Sequence, residues 1–272
     1  PSRFLKNFKT IKDEKFSDEA YLKLFLKGEA SLNLSDDEII LEHDFFANPL
    51  SFSTLNLFLT CPRKYYYTKI AHINAPKAIA SELGTKQGNS VHSALFEYYT
   101  SEFYKQNNVF DLAVFKEMLA KQNLTPLEFE IWTHKFKEYE IYENERLRAG
   151  FRILECEKEV QSEFCGVQIK GFIDRIDVGA NGDVLILDYK TGEANVNSLQ
   201  LAFYEALYGG EVRSAYYALK NEPSLLCPKK SVEDLGGEIE KLKTINKTKI
   251  NFERKSGACA FCEYVTLCRR EL

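Results

Sequence analysis

The segment Val184-Leu-Ile-Leu-Asp-Tyr-Lys190 constrains the fold more than any other part of this chain. It reads as an apolar strand that ends in Asp-x-Lys. Side chains alternate in direction along a strand, so Asp188 and Lys190 project to one face and Tyr189 to the other. Just upstream, across a turn, lies Gly171-Phe-Ile-Asp-Arg-Ile-Asp177. If the two segments pair as a hairpin, Asp174 approaches Asp188 across the sheet. Carboxylates that close repel one another unless something compensates. A hard divalent cation such as Mg2+ supplies the compensation and prefers oxygen ligands. Asp177 faces the other side of a regular strand from Asp174 and reads as structural, or as a support behind the site.

This arrangement would suit metal-assisted attack at a phosphate. Asp174 and Asp188 would hold a metal against a phosphate oxygen, where it lowers the pKa of a bound water and stabilises developing negative charge. Lys190, beside that water, would orient the nucleophile, offset charge on the phosphorane or, with a depressed pKa, act as a base. The residues alone leave these three roles open. The plain alternative is that Asp174 and Asp177 are solvent-facing strand residues and that Asp188 and Lys190 form a surface ion pair. For any single residue that alternative is the better one; the conjunction of two strands, two acids and a lysine outweighs it.

Around these segments the pattern changes in blocks. Residues 1–50 read as a charged amphipathic preamble, with Leu22, Leu24, Phe25 and Leu26 in one helix and Asp36, Asp37 and Glu38 opening another stretch. Ser51 or Ser53 offers a helix cap before Leu55, Phe58, Leu59 and Tyr66 at helical spacing, and Pro62 marks a break. Residues 84–145 form a helical layer, with Val91, Leu95, Tyr98 and Tyr99 on one helix and 129–142 on a later one. Residues 151–164, 167–178, 184–189 and 212–219 are β-branched or aromatic runs bounded by turn residues, and read as strands. Asn181 and Gly182 predict a type I′ hairpin turn, in which both central residues take positive φ. A helix over 196–208 then serves as a crossover between strands.

Composition sets the outer limits. A chain of 272 residues that is 44% hydrophobic buries a substantial core, as one elaborated domain or a domain with a helical annex. Its apolar runs are too short to span a bilayer and no charged-then-apolar leader opens it, so a soluble, cytoplasmic protein is expected. Pro1 stands where an initiator methionine would, which suggests a fragment of something longer. The formal charge of −4 gives no global support to nucleic-acid binding, and the 11 Lys/Arg against 8 Asp/Glu from Lys220 onward are a mild asymmetry. Seven cysteines without a secretory signal point to metal or redox chemistry. Cys259, Cys262 and Cys268 form a C-x2-C-x5-C run, and Cys61 is the candidate fourth ligand. Soft thiolates suit an iron–sulfur cluster or tetrahedral zinc, and spacing does not separate the two. Cys156, Cys165 and Cys227 read as reduced core residues.

Together these motifs resemble the PD-(D/E)XK nucleases, in their RecB-like branch. The resemblance covers most of the chain and implies an α/β fold: a restriction-endonuclease-like core with a central mixed sheet flanked by helices, an added helical layer and a C-terminal iron–sulfur clasp. It assigns 51–272 to the nuclease domain and 1–50 to a connection with an upstream region. Asp174 matches the first acid, and Asp188-Tyr-Lys190 the second acid and lysine, so Asp174, Asp188 and Lys190 are the implied catalytic residues. Gly88-Asn-Ser-Val-His92 is similar to the Gly-x-x-x-His helix of this branch, which implies a metal site of His92, Asp174, Asp188 and Tyr189. A lone helical histidine otherwise packs or caps more often than it ligates. Gln200-Leu-Ala-Phe-Tyr204 fits Gln-x-x-x-Tyr, whose two side chains share a helix face and contact nucleic acid in the family. Ser53 through Cys61-Pro-Arg-Lys-Tyr65 resembles the segment that supplies the early cysteine, implying a [4Fe–4S] cluster on Cys61, Cys259, Cys262 and Cys268, with Zn2+ as the alternative occupant.

Within that branch the chain looks most like the C-terminal nuclease domain of AddB-type helicase–nucleases. That implies an Mg2+- or Mn2+-dependent deoxyribonuclease, exonucleolytic, acting on single-stranded DNA in double-strand break repair and recombination beside an AddA-like partner subunit. No Gly-x-x-x-x-Gly-Lys-[Ser/Thr] loop occurs, so any motor would lie outside these residues. Arg63, Lys64 and the aromatic Tyr65, Tyr66 and Tyr67 are candidate strand contacts, and the tyrosines equally suit core packing. Two other readings stand beside this one: a CRISPR-associated RecB-like exonuclease, and a nuclease-like module that binds DNA or a partner without cutting. The sixty residues before Cys61 favour the helicase–nuclease fragment over the first, and intact Asp174, Asp188 and Lys190 argue against the second.

Overall fold

The computed structural model describes residues 38–75, 79–255, 259 and 262–268. The chain divides into two compact units, Pro1–Glu38 and Ile39–Leu272. The helix expected around Leu22 and the acids Asp36 and Asp37 fall outside the described residues.

The second unit begins with β1 (Ile40–Glu42), α1 (Phe52–Thr60) and α2 (Pro62–Tyr65), which runs into a π-helical turn at Tyr66–Ile70. The helical layer is α3 (Ile79–Thr100), α4 (Glu102–Asn107), α5 (Leu112–Ala120) and α6 (Pro126–Arg148). Then come β2 (Arg152–Phe164), β3 (Val167–Val178), β4 (Val184–Lys190), α7 (Gln200–Tyr208), β5 (Val212–Ala218), β6 (Ser224–Leu226), α8 (Val232–Ile245) and β7 (Lys249–Asn251). Strands β2 to β6 form a five-stranded mixed sheet in chain order, antiparallel except for the parallel pair β4 and β5. That parallel pair needs a crossover, and α7 is it. A separate antiparallel pair joins β1 to β7.

Local chemistry explains the boundaries nearest the site. Ser51 caps α1 by accepting from the Thr54 N–H. The helix stops at Cys61, which is extended because the following proline crowds a helical conformation, and Pro62 then opens α2 at its first position. Thr125 and Glu128 form a reciprocal capping box at the start of α6. Helix α7 begins at Gln200 rather than at 196, because the Asn195 side chain captures the Asn197 N–H in a local turn that competes with helix.

The β3–β4 connection departs from the expected type I′ turn. Among its residues only Gly182 has positive φ, +85°; its N–H donates to the Gly179 carbonyl at 2.9 Å, and the Gly179 N–H donates to the Asp183 carbonyl at 2.9 Å. Ala180 and Asn181 thus fit an ordinary turn that closes on a left-handed glycine. A two-residue turn with both central φ values positive occurs instead at Cys165 (+49°) and Gly166 (+71°), between β2 and β3.

Two apolar clusters cover the two faces of the sheet. Leu185, Leu187 and Tyr189 pack with Val91, Leu95, Tyr98 and Phe136 of the helical layer. Ile186 packs with Ile173, Ile176, Leu201 and Phe203 on the other side, where Phe45, Leu50 and Leu55 join them. β4 is therefore buried on both faces, which is why its sequence is continuously apolar rather than alternating. Residues before 51 belong to this packing: Leu50 exchanges main-chain hydrogen bonds with Gln168 and Lys170 of β3.

Candidate active site

The catalytic candidates meet where β3 and β4 emerge between the two layers. The β3–β4 ladder pairs Arg175 with Leu187, and one step further brings Asp174 opposite Asp188. Asp174 Oδ2 accepts the Tyr189 N–H at 3.0 Å and lies 3.3 Å from His92 Nδ1. His92 Nε2 is 3.1 Å from the Tyr189 carbonyl oxygen. A carbonyl only accepts, so Nε2 carries the hydrogen and Nδ1, 3.3 Å from the Asp174 oxygen, keeps its lone pair. Two acceptors this close need a proton or a cation beside them. Helix α3 passes close to the end of β4 at Gly88, where a Cβ would sit 3.1 Å from Thr191 Oγ1.

A third acid joins this pair. Glu157 of β2, His92 and Asp174 place one ligand atom each within 4.8 Å of one another. The β2–β3 register runs through Cys156–Arg175 and Lys158–Ile173, so Glu157 falls opposite Asp174, with a φ of +48° that breaks the regular pairing. Asp188 stands beside this group. Lys190 Nζ lies 2.5 Å from its Oδ2, and Gln200 Nε2 donates to its Oδ1 at 2.8 Å. Gln200 Oε1 in turn accepts from Lys190 at 3.0 Å, and Gln200 Nε2 also donates to the Tyr204 hydroxyl at 3.1 Å.

The electrostatics are those of a site built for a cation. Burial pushes the Asp174 carboxyl well above its ordinary value, and the Asp188 charge adds to the rise. Burial also raises Asp188 despite the opposing Lys190 ammonium, and raises Glu157 with help from Asp188. Burial lowers His92, keeping the imidazole neutral and free to ligate. Three carboxylates and one imidazole suit a hard or borderline divalent ion far better than they suit each other.

A family model described as the PD-(D/E)XK nuclease superfamily matches residues 49–269. The chain belongs to that superfamily. An uncharacterized protein of Rickettsia bellii (strain RML369-C) is 29% identical over 182 residues, 62% of this chain but only 22% of that relative. Among solved structures, a Eubacterium rectale protein provisionally named as an exonuclease aligns with a TM-score of 0.49 at 14% identity, over 95% of this chain and 94% of its own. The structure of a protein called SSO0001 aligns with a TM-score of 0.37 at 16% identity, over 82% and 86%.

In this superfamily member Tyr189 enters the site through its main chain alone, since its ring is buried on the opposite face of β4. Gln200 and Tyr204 turn inward onto Asp188 and Lys190, and Tyr204 is 9% exposed. Arg63 is buried, donates to the Phe252 carbonyl at 2.7 Å and has no free face for DNA. Tyr65 and Tyr67 are buried in packing, and Lys64 pairs with Glu263 at 2.7 Å. Asp177 lies on the face away from Asp174, locked to Arg175 and Arg146.

The four cysteines singled out together, Cys61, Cys259, Cys262 and Cys268, line one small pocket with Lys64, Arg254 and Lys255. Cys268 is raised above its ordinary value by burial, and the neighbouring Cys262 and Cys61 sulfurs reinforce the rise. Glu157 was absent from the sequence reading. The signal that finds it is the β2–β3 turn, because counting back from Phe164 and Val167 sets residue 157 against 174. No helix among the described residues is long and apolar enough to cross a membrane.

Proposed function

We propose that this domain is a divalent-metal-dependent deoxyribonuclease that hydrolyses single-stranded DNA, and that it serves as the nuclease domain of an AddB-type helicase–nuclease working with an AddA-like subunit in double-strand break repair. One observation carries the catalytic part: His92, Glu157 and Asp174 bring one ligand atom each within 4.8 Å of one another, beside the Asp188–Lys190 pair. Mg2+ or Mn2+ bound there would neutralise phosphate charge and supply an activated water. Asp174, Glu157 and His92 Nδ1 would hold the ion, with the Asp188 carboxylate beside them. The Tyr189 N–H keeps Asp174 oriented. Gln200 holds the Lys190 ammonium against Asp188, so the cation stays beside the reacting phosphate and offsets charge as it builds there.

A metal clasp belongs to the same reading, because the four cysteines line one pocket. A [4Fe–4S] cluster is the occupant we assign to Cys61, Cys259, Cys262 and Cys268, with Zn2+ as the competing one. The relative's much greater length accords with a nuclease domain appended to a larger machine.

The direct test is digestion of end-labelled single-stranded DNA with Mg2+ and with chelator. The wild type should cut only with metal, and Asp174→Ala and Asp188→Ala should each lose at least about a hundredfold in rate. A protein that binds strands yet leaves them whole, with or without metal, is the non-cutting module instead.

A further inference from the structure

Directly behind the acids, on the opposite face of β3 and β4, lies a closed set of charges that the proposed chemistry does not use. Arg175 and Glu143 have no exposed surface, and Asp177 has none either. Arg175 donates to Asp177 through Nε at 2.6 Å and through Nη2 at 2.8 Å, and its Nη2 also donates to Glu143 Oε1 at 2.6 Å. Arg146 of α6 bridges the same two acids, at 3.1 Å to Glu143 and 2.8 Å to Asp177. The Tyr217 hydroxyl donates to Glu143 at 3.0 Å. Burial alone would raise Glu143, but Arg175 and Arg146 overcome it and hold the carboxyl below its ordinary value.

Two cations and two anions balance, yet balance does not explain why they are there. Apolar side chains of similar volume are commonly as stable as such a buried set. The neighbours in sequence are more informative. Arg175 follows Asp174, and its remaining Nη1 donates to the hydroxyl of Tyr189 at 3.1 Å. Tyr189 lies between Asp188 and Lys190. Its N–H holds Asp174, its carbonyl fixes the His92 tautomer, and its ring meets the His92 ring edge-on at 5.8 Å. The peptide that orients two ligands is therefore anchored, through its own side chain, to a charge set braced by α6.

We propose that Glu143 and Arg175 are positioning residues: they pin the Tyr189 hydroxyl from behind the sheet, and through the Tyr189 peptide they set the Asp174 carboxylate and the His92 Nδ1 for the divalent ion. This rests on the site reading above. Outer partners of ligands usually matter at this level, changing affinity or activity by tens of times.

The test uses the full chain and Mn2+ alone, titrated calorimetrically without DNA. Tyr189→Phe removes only the link, leaving every ion pair intact; it should melt cooperatively and lose about tenfold in Mn2+ affinity, with a fall in kcat and little change in KM for a single-stranded oligonucleotide. Tyr217→Phe removes a hydroxyl that bonds Glu143 and neither Arg175 nor Tyr189, keeps the ring that lies 5.7 Å from the Tyr189 ring, and should bind Mn2+ as the wild type does. Glu143→Gln gives a second probe of the brace and should weaken Mn2+ in the same direction as Tyr189→Phe. Wild-type affinity in Tyr189→Phe, or an equal loss in Tyr217→Phe, overturns the positioning role. A wild type that binds no Mn2+ would instead sink the site reading.

Discussion

At the scale of single residues, the acids and the lysine were legible because strand alternation fixes direction, and two short segments fixed which strands to align. Glu157 was not, since Glu155, Glu157 and Glu159 alternate like any solvated strand face. Only the register set by the turn at Cys165 and Gly166 singles it out. The convergence has a measurable cost. Asp174, Asp188 and Glu157 are all raised by burial, so each holds its proton more tightly folded than unfolded. A raised carboxyl contributes stability that is complete below the ordinary carboxylate range and is lost as pH climbs through the raised value. His92, lowered by burial, acts in the opposite sense, its contribution being present above the ordinary imidazole range and lost as pH falls through the lowered value. Metal ligation needs all four groups without the competing proton. The rise in melting temperature on adding Mg2+ should therefore be small near about pH 5 and grow toward about pH 8. A rise that is the same across that range would mean these groups are not the ligands.

At the scale of elements, β4 was readable as a strand from its unbroken apolar run, and burial on both faces is the physical source of that run. α6 was readable as a helix but not as a brace. Its buried stripe, Trp132, Phe136, Tyr139, Glu143 and Arg146, starts aromatic and ends charged, and charged positions carry no sequence mark of burial. The C-terminal turn is tied to α2 and the segment after it: Lys64 pairs with Glu263, Thr68 Oγ1 lies 3.2 Å from the Tyr264 hydroxyl, and that hydroxyl donates to the Ile73 carbonyl at 2.7 Å. If a metal cluster joins Cys61 to Cys259 as well, it closes a loop of about 200 residues, and its loss should cost about 2–5 kcal/mol. Cys259→Ser should then melt lower and lose both bound iron and visible absorbance. An unchanged melting profile would leave the clasp without thermodynamic support, and zinc in place of iron would change its occupant.

At the scale of the whole molecule, the layered architecture followed from the order of helical and strand patterns, while the site arose from contacts that no local pattern records. His92 and Asp174 are far apart in sequence and on different elements, and they meet where α3 passes close to the end of β4 at Gly88. The expected contacts of Arg63 failed for a related reason, because a basic residue beside a cysteine looks the same in sequence whether it faces solvent or a carbonyl such as that of Phe252. The net charge of −4 also fits the proposed contact with DNA at a local cation site rather than through a broad basic surface. The most direct measurement is a crystal of the protein with Mn2+, with diffraction recorded at the manganese edge. One anomalous peak within about 2.5 Å of Asp174, Glu157 and His92 Nδ1 is the result expected. Peaks confined to other surfaces, with that point filled by a side chain or by water alone, would contradict a shared divalent ion at the heart of this domain.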